Sequence, residues 1–147
     1  MDTDVNLMVV FSKLSYQFLD KLGSDLESHG MSSSIYSILA HLKKIGKSKV
    51  QKLAEISFIT SGTITHHINK LVKLDYVTTK KDEIDRRITW VEITPKGIAI
   101  FNEVNDKHMK YLKHMLSVFT NDEKSEFIKQ LKYFGKTLQR QGESHED

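Results

Sequence analysis

The 147-residue chain carries 22 Lys+Arg against 19 Asp+Glu, a net charge of +3, and 39% of its residues are apolar. That apolar share supports a core and excludes global disorder; the length suits one compact domain, alone or with an oligomerising extension. There is no cysteine, which excludes a disulfide framework, a thiolate nucleophile and a thiol redox switch.

The chain begins M-D-T-D, acidic where a secretory signal is basic, and its longest apolar run, residues 7–11, is far too short to span a bilayer. A cytoplasmic soluble protein with no membrane partner is expected. Leu7, Phe11, Leu14, Phe18 and Leu22 recur at spacings of three and four, one stripe of a helix ending near Gly23. Within Ser32-Ser33-Ser34 a hydroxyl can cap a second helix that buries Ile35, Ile38, Leu39 and Leu42 and stops near Gly46. A short third helix is expected over about residues 49–56, with Val50, Leu53 and Ala54 inward and Ser48 and Gln51 spaced as a capping box. After a turn at residues 57–59, Thr60 or Ser61 caps a fourth helix to about Leu74, with Ile64, Ile68, Leu71 and Val72 inward.

Beyond Asp75 the apolar period changes from near four to two. Residues 76–81 and 88–94 read as paired strands rich in Val, Ile, Thr and Trp. The loop between them carries Asp82, Glu83, Asp85, Arg86 and Arg87. Thr94 caps a long helix with Pro95 at its first position, and Ile98, Phe101, Val104, Leu112, Met115 and Phe119 fall on one side. Thr120 and Glu123 form another capping box before a last helix with Phe127, Leu131, Phe134 and Leu138 inward; the tail from Gln141 is polar. The fold class is mainly α with a small β wing: a winged helix-turn-helix over residues 31–94, flanked by helices over 5–26 and 95–140. So small a domain cannot hide every apolar stripe of its long end helices, so a second copy is expected to cover them in a symmetric homodimer.

A short helix, a tight turn and a longer helix form a helix-turn-helix. Outward on the longer helix stand Ser61, Thr63, Thr65, His66, Asn69 and Lys70. Short hydroxyl and amide side chains read base edges, and lysine suits phosphate; the bland alternative is an ordinary solvated helix face. The hairpin that follows has the form of a wing. Its tip arginines, Arg86 and Arg87, suit the narrow minor groove, whose negative potential favours guanidinium, with Asp85 able to hold one of them. The plain alternative there is a solvated turn with an internal ion pair. Charge follows the same division. Residues 43–97 hold 12 Lys+Arg and 6 Asp+Glu, a net of +6, while the rest of the chain nets −3, so only the middle is suited to a polyanion.

Two stretches carry a family resemblance: L-A-E-I-S-F-I-T-S-G-T-I-T-H-H-I-N-K-L-V-K-L-D-Y-V over residues 53–77, and D-R-R-I-T-W-V-E-I-T-P-K-G over residues 85–97. Together with the six-helix frame they resemble the MarR family of winged helix-turn-helix transcription regulators over nearly the whole chain. The resemblance implies a homodimeric repressor of an inverted-repeat operator in double-stranded DNA. It implies that Arg87 enters the minor groove with Asp85 orienting it, and that positions around Ser61, Thr63, Thr65 and His66 read the major groove. The chain departs from the family at His66, where many members have Arg, and at Asp75, where many have Gly. Trp90, on the strand face opposite Val91, either packs on the long helix or is unusually exposed.

The resemblance also implies a small aromatic effector, phenolic or quinone-like as in the Gram-positive members it most resembles, in a pocket whose candidate lining is Phe11, Phe18, Tyr36, His108 and Tyr111. Plain core packing is the alternative for all five. Without cysteine the trigger is not thiol oxidation; methionine oxidation at Met8, Met109 or Met115 is the remaining redox route. No cofactor, metal or enzymatic activity is expected. There is no phosphate loop and no H-E-x-x-H or G-x-S-x-G motif; adjacent His66 and His67 point about 100° apart on a helix, and His108 and His114, six apart, also diverge. The rival readings are a winged-helix module that docks on another protein and a carrier of an apolar small molecule.

Overall fold

A computed structural model describes residues 2–57 and 59–143; Phe58 and the side chains of Ser61 and of residues 141–143 lie outside that description. The elements run α1 (Thr3–Ser28), α2 (Ser33–Ile45), β1 (Lys47–Lys49), α3 (Val50–Ser57), α4 (Ser61–Lys73), β2 (Val77–Lys81), β3 (Thr89–Ile93), α5 (Pro95–Met115), a 3-10 turn (Leu116–Val118) and α6 (Asn121–Glu143). The chain divides into two compact units, residues 1–111 and 112–147.

The caps explain most of the boundaries. Ser32 accepts from Ile35 N at the start of α2, which ends on Gly46 at φ 81°, and Thr60 accepts from Thr63 N at the start of α4. Thr94 Oγ1 accepts from Gly97 N at 3.0 Å at the start of α5. The capping box before α6 closes in both directions, with Glu123 Oε2 accepting from Thr120 N and Thr120 Oγ1 accepting from Glu123 N.

The core of the first unit is drawn from seven elements and a turn. Leu26, Met31, Ile35, Ile38, Leu39, Leu42, Leu53, Ile64, Ile68, Leu71, Val77, Val91, Phe101 and Val104 are all buried. The sheet has the order β1-β3-β2 and is antiparallel throughout, with Ser48 opposite Val91 and Val91 opposite Thr79. One sheet face, through Ser48 and Val91, covers the helices; the other presents Lys47, Lys49, Trp90, Glu92, Thr78 and Lys80 outward, as strand alternation requires. In the second unit the rings of Phe119 and Phe127 stack at 6.3 Å.

Several local expectations are corrected. The first helix does not stop at Gly23 but runs on to Ser28, because Leu22 and Leu26 continue the apolar stripe; a Cβ at Gly23 would lie 3.3 Å from Ser33 Oγ. Strand β1 was not expected: three residues, two of them lysines, carry no period of their own and pair only through β3. Ser48 therefore lies in a strand and is buried, not at a cap, since α3 begins at Val50. Val72 is 40% exposed, off the 64–68–71 stripe. Phe119 lies beyond α5, which gives way to the 3-10 turn after Met115.

Candidate nucleic-acid interface

Helix α4 buries Ile64, Ile68 and Leu71, and this leaves Thr63, Thr65, His66, Asn69 and Lys70 on its exposed side. Thr63 is partly committed to the helix start, its Oγ1 lying 2.9 Å from Thr60 Oγ1. His67 is half-buried and edge-on to His66, with ring centroids 6.0 Å apart. Burial first, then His66 and Lys70, lowers its pKa, so its neutral form is favoured. The backbone N–H groups at the α4 N-terminus and the lysines at positions 70 and 73 add positive potential along the same helix.

The wing loop, residues 82–88, is built by two carboxylates. Asp82 Oδ1 accepts from Ile84 N and Asp85 N, each at 3.0 Å, and Asp82 N donates to Ile88 O at 3.0 Å. Asp85 then takes Arg87 three times at 3.0 Å: backbone N and Nε on Oδ1, and Nη2 on Oδ2. This fork-on-fork geometry sets the direction of the guanidinium. Yet the Arg87 side chain is 91% exposed, so an ion pair there adds little to stability. The arrangement orients an exposed cation at the tip of the wing. Arg86 is also exposed, and beside it Ile84 is 98% exposed.

The far end of the wing is locked to the lobe. Thr94 N donates to Tyr76 O at 3.0 Å, Thr94 Oγ1 donates to Asp75 O at 2.7 Å, and Lys96 Nζ donates to Leu74 O at 2.9 Å. A Cβ on Gly97 would collide with the Tyr76 carbonyl, so the T-P-K-G stretch needs glycine there for close approach. Asp75 sits at φ 60°, the left-handed turn for which glycine is the easy residue.

Trp90 takes neither of its expected places. It is half-buried on the outer sheet face, its Nε1 donating to Asp82 Oδ2 at 2.8 Å and its ring lying under Lys47 Nζ (4.8 Å) and Lys49 Nζ (5.4 Å). A shallow cleft of about 260 Å³ beside it is lined by Lys47, Lys80, Lys81, Asp82, Glu83, Ile84 and Trp90. Sequence reasoning passed over Asp82; its place at the mouth of a hairpin, ahead of a second aspartate and two arginines, was the available signal.

Of the five candidate pocket residues, the structure brings Tyr36 and His108 together, edge to face at 5.2 Å. Their polar ends are engaged, Tyr36 OH donating to Asn105 Oδ1 at 2.7 Å and His108 Nδ1 lying 2.7 Å from Asp25 Oδ2. Burial raises the Tyr36 pKa, in keeping with its role as donor. Phe18 and Tyr111 are half-buried and Phe11 is 42% exposed. Among the described residues no cluster of His, Cys, Asp and Glu suited to a metal occurs, and no helix is long and apolar enough to cross a membrane.

The family model for the transcriptional regulators SarA/Rot matches residues 21–104. The HTH-type transcriptional regulator MhqR of Bacillus subtilis is 26% identical over 134 residues, covering 91% of this chain and 92% of its own. Among solved structures, AbsC, a MarR family transcriptional regulator from Streptomyces coelicolor, superposes with a TM-score of 0.80 at 21% identity, over 95% of this chain and 96% of its own. A mutant MarR from E. coli, complexed with operator DNA, superposes with a TM-score of 0.75 at 17% identity, over 91% of this chain and 99% of its own.

Proposed function

Because the chain belongs to the SarA/Rot family of transcriptional regulators, we propose that it acts as a homodimer whose two lobes grip an inverted-repeat operator, repressing transcription by blocking polymerase. It is a DNA-binding regulator of MarR type and not an enzyme. In this reading α4 enters a major groove through Thr63, Thr65, His66 and Asn69, with Lys70 on phosphate, while the wing enters the adjacent minor groove through Arg86 and Arg87. Two-fold symmetry then spaces the half-sites about one helical turn apart. The observation that carries the reading is the bidentate Asp85–Arg87 pair, built in full on a 91% exposed side chain. Such an arrangement contributes little inside the protein and much to a partner that needs an oriented cation.

The second copy is assigned to the uncovered apolar sides of α1 and α6. Leu7, Leu14 and Leu19 are 67%, 52% and 66% exposed, and Phe127 and Leu138 are 48% and 52% exposed. An aromatic effector, phenolic or quinone-like, would act by binding better to a form whose lobes are wrongly spaced for DNA; the Tyr36–His108 pair, with Phe11, Phe18 and Tyr111, is its assigned neighbourhood.

Selecting bound fragments from random duplex DNA tests the reading and supplies the operator. An inverted repeat is expected; no enrichment of any duplex overturns it. On that operator, Arg87→Ala should weaken binding and reduce the slope of log affinity against log salt by about 1. Asn69→Ala and His66→Ala should change base preference more than nonspecific affinity; equal loss on all sequences would move both residues to the phosphates.

A further inference from the structure

We infer that Trp90 and Asp82 are positioning residues for the wing arginine, joined to it by a continuous relay of hydrogen bonds from the sheet to the tip. The inference rests on the DNA-binding reading above and adds the part of the lobe that fixes where Arg87 points. Trp90 is held on the sheet by its own strand, β3, and by the ammonium groups of Lys47 and Lys49 from β1. Its indole N–H fixes Asp82 Oδ2 at 2.8 Å. The other oxygen of Asp82 fixes the backbone N–H of Asp85 at 3.0 Å, and the Asp85 carboxylate holds the Arg87 guanidinium by two bonds at 3.0 Å.

Each link has a physical reason. A hairpin tip cannot set one arginine rotamer by packing, because nothing covers it, and the side chain would lose its freedom only on binding. Ordering it beforehand removes that cost from association. An indole suits this role because its body is apolar enough to be seated on a sheet while its single N–H can reach a carboxylate. Asp82 turns its two oxygens in different directions, one on the tip backbone and one on the sheet, so a single side chain couples the loop to β3. Its pKa, lowered to about 2 chiefly by the Trp90 N–H, agrees with a carboxylate kept charged by that contact.

Epistasis tests the relay. Trp90→Phe keeps a ring on the sheet and deletes the N–H. On the selected operator it should weaken binding about tenfold, the range of a hydrogen bond to a charged group. In an Arg87→Ala background the same change should cost nothing further. Equal losses in both backgrounds would mean that Trp90 touches DNA itself or merely supports the fold, and would overturn the relay, as would no loss in either. Asp82→Asn is the second variant: its Oδ1 still accepts from Ile84 and Asp85, but an amide N–H now faces the indole. It should show the same dependence on Arg87 and change the emission of Trp90, the sole tryptophan; unchanged emission refutes the contact. If the wild-type protein binds no duplex, the DNA reading fails as a whole; if it binds and the variants bind as tightly, only the relay fails.

Discussion

His108 Nδ1 lies 2.7 Å from Asp25 Oδ2, with the two side chains 5% and 10% exposed, so a buried polar pair joins α5 to α1 within the first unit. The partners are 83 residues apart in sequence. Deleting one leaves the other buried without its partner, which costs about 1–3 kcal/mol. Asp25→Ala is therefore expected to lower unfolding stability by about that amount, and Asp25→Asn, which keeps an acceptor, by less. Urea denaturation of both variants checks this; equal stability of Asp25→Ala and wild type would remove the pair from the fold's energetics.

Asp75 holds φ 60° between α4 and β2, with its N–H on Val72 O at 2.9 Å and its carbonyl accepting from Thr94 Oγ1. A left-handed backbone costs an ordinary L-residue about 1–2 kcal/mol and glycine almost nothing. Asp75→Gly should leave stability unchanged or raise it slightly, while Asp75→Val should lower it by about 1–2 kcal/mol or more, because β-branching adds crowding. Thermal melts of the two variants read the order; Asp75→Val as stable as Asp75→Gly would contradict the backbone argument.

Acid should act on the wing and on α4 with the same sign. Asp82 is lowered from 3.8 to about 2, by the Trp90 N–H first and then the Asp85 and Ile84 N–H groups, and His67 is lowered from 6.5 by burial first. For both, the unfolded chain takes up its proton at higher pH than the folded one. Each contribution is thus complete above the unfolded value and is lost as pH falls toward and through the folded value. Stability measured against pH should flatten for His67→Gln just below about 6.5, and for Asp82→Asn between about 4 and 2. Profiles parallel to wild type in those windows would show that neither group is linked to folding.

Removal of residues 1–13 should cost the proposed dimer. That segment carries Val5, Leu7, Met8, Val9, Val10 and Phe11, each more than 40% exposed, while its deletion leaves Leu26, the α1 residue of the buried core, in place. Light scattering should report a monomer that keeps its helical circular dichroism. An intact dimer would remove residues 1–13 from self-association.

How much of this was legible in the sequence follows from the range of the interactions involved. The hydroxyls of Ser32-Ser33-Ser34, of Thr60 or Ser61, of Thr94 and of Thr120, with Gly46, marked where helices end because a cap is a contact between residues three or four apart; the structure chose Ser32 and Thr60 among the alternatives. The 2-residue period after Asp75 announced the hairpin, and Ile35, Ile38, Leu39, Leu42, Ile64, Ile68 and Leu71 announced the core, because burial of a stripe imposes the period of the element that carries it. The residues alone left open which arginine Asp85 holds; the family resemblance implied Arg87, and the structure forms that pair. Beyond that range the tertiary structure decided. It carried α1 past Gly23, because burial of Leu26 outweighs a glycine's helix cost of about 1 kcal/mol. It made a strand of Lys47–Lys49 only because β3 offered an edge. It joined Trp90 to Asp82 across the hairpin and His108 to Asp25 across the unit, since an indole or imidazole N–H is satisfied by whatever acceptor packing delivers, and no local pattern encodes which one that will be.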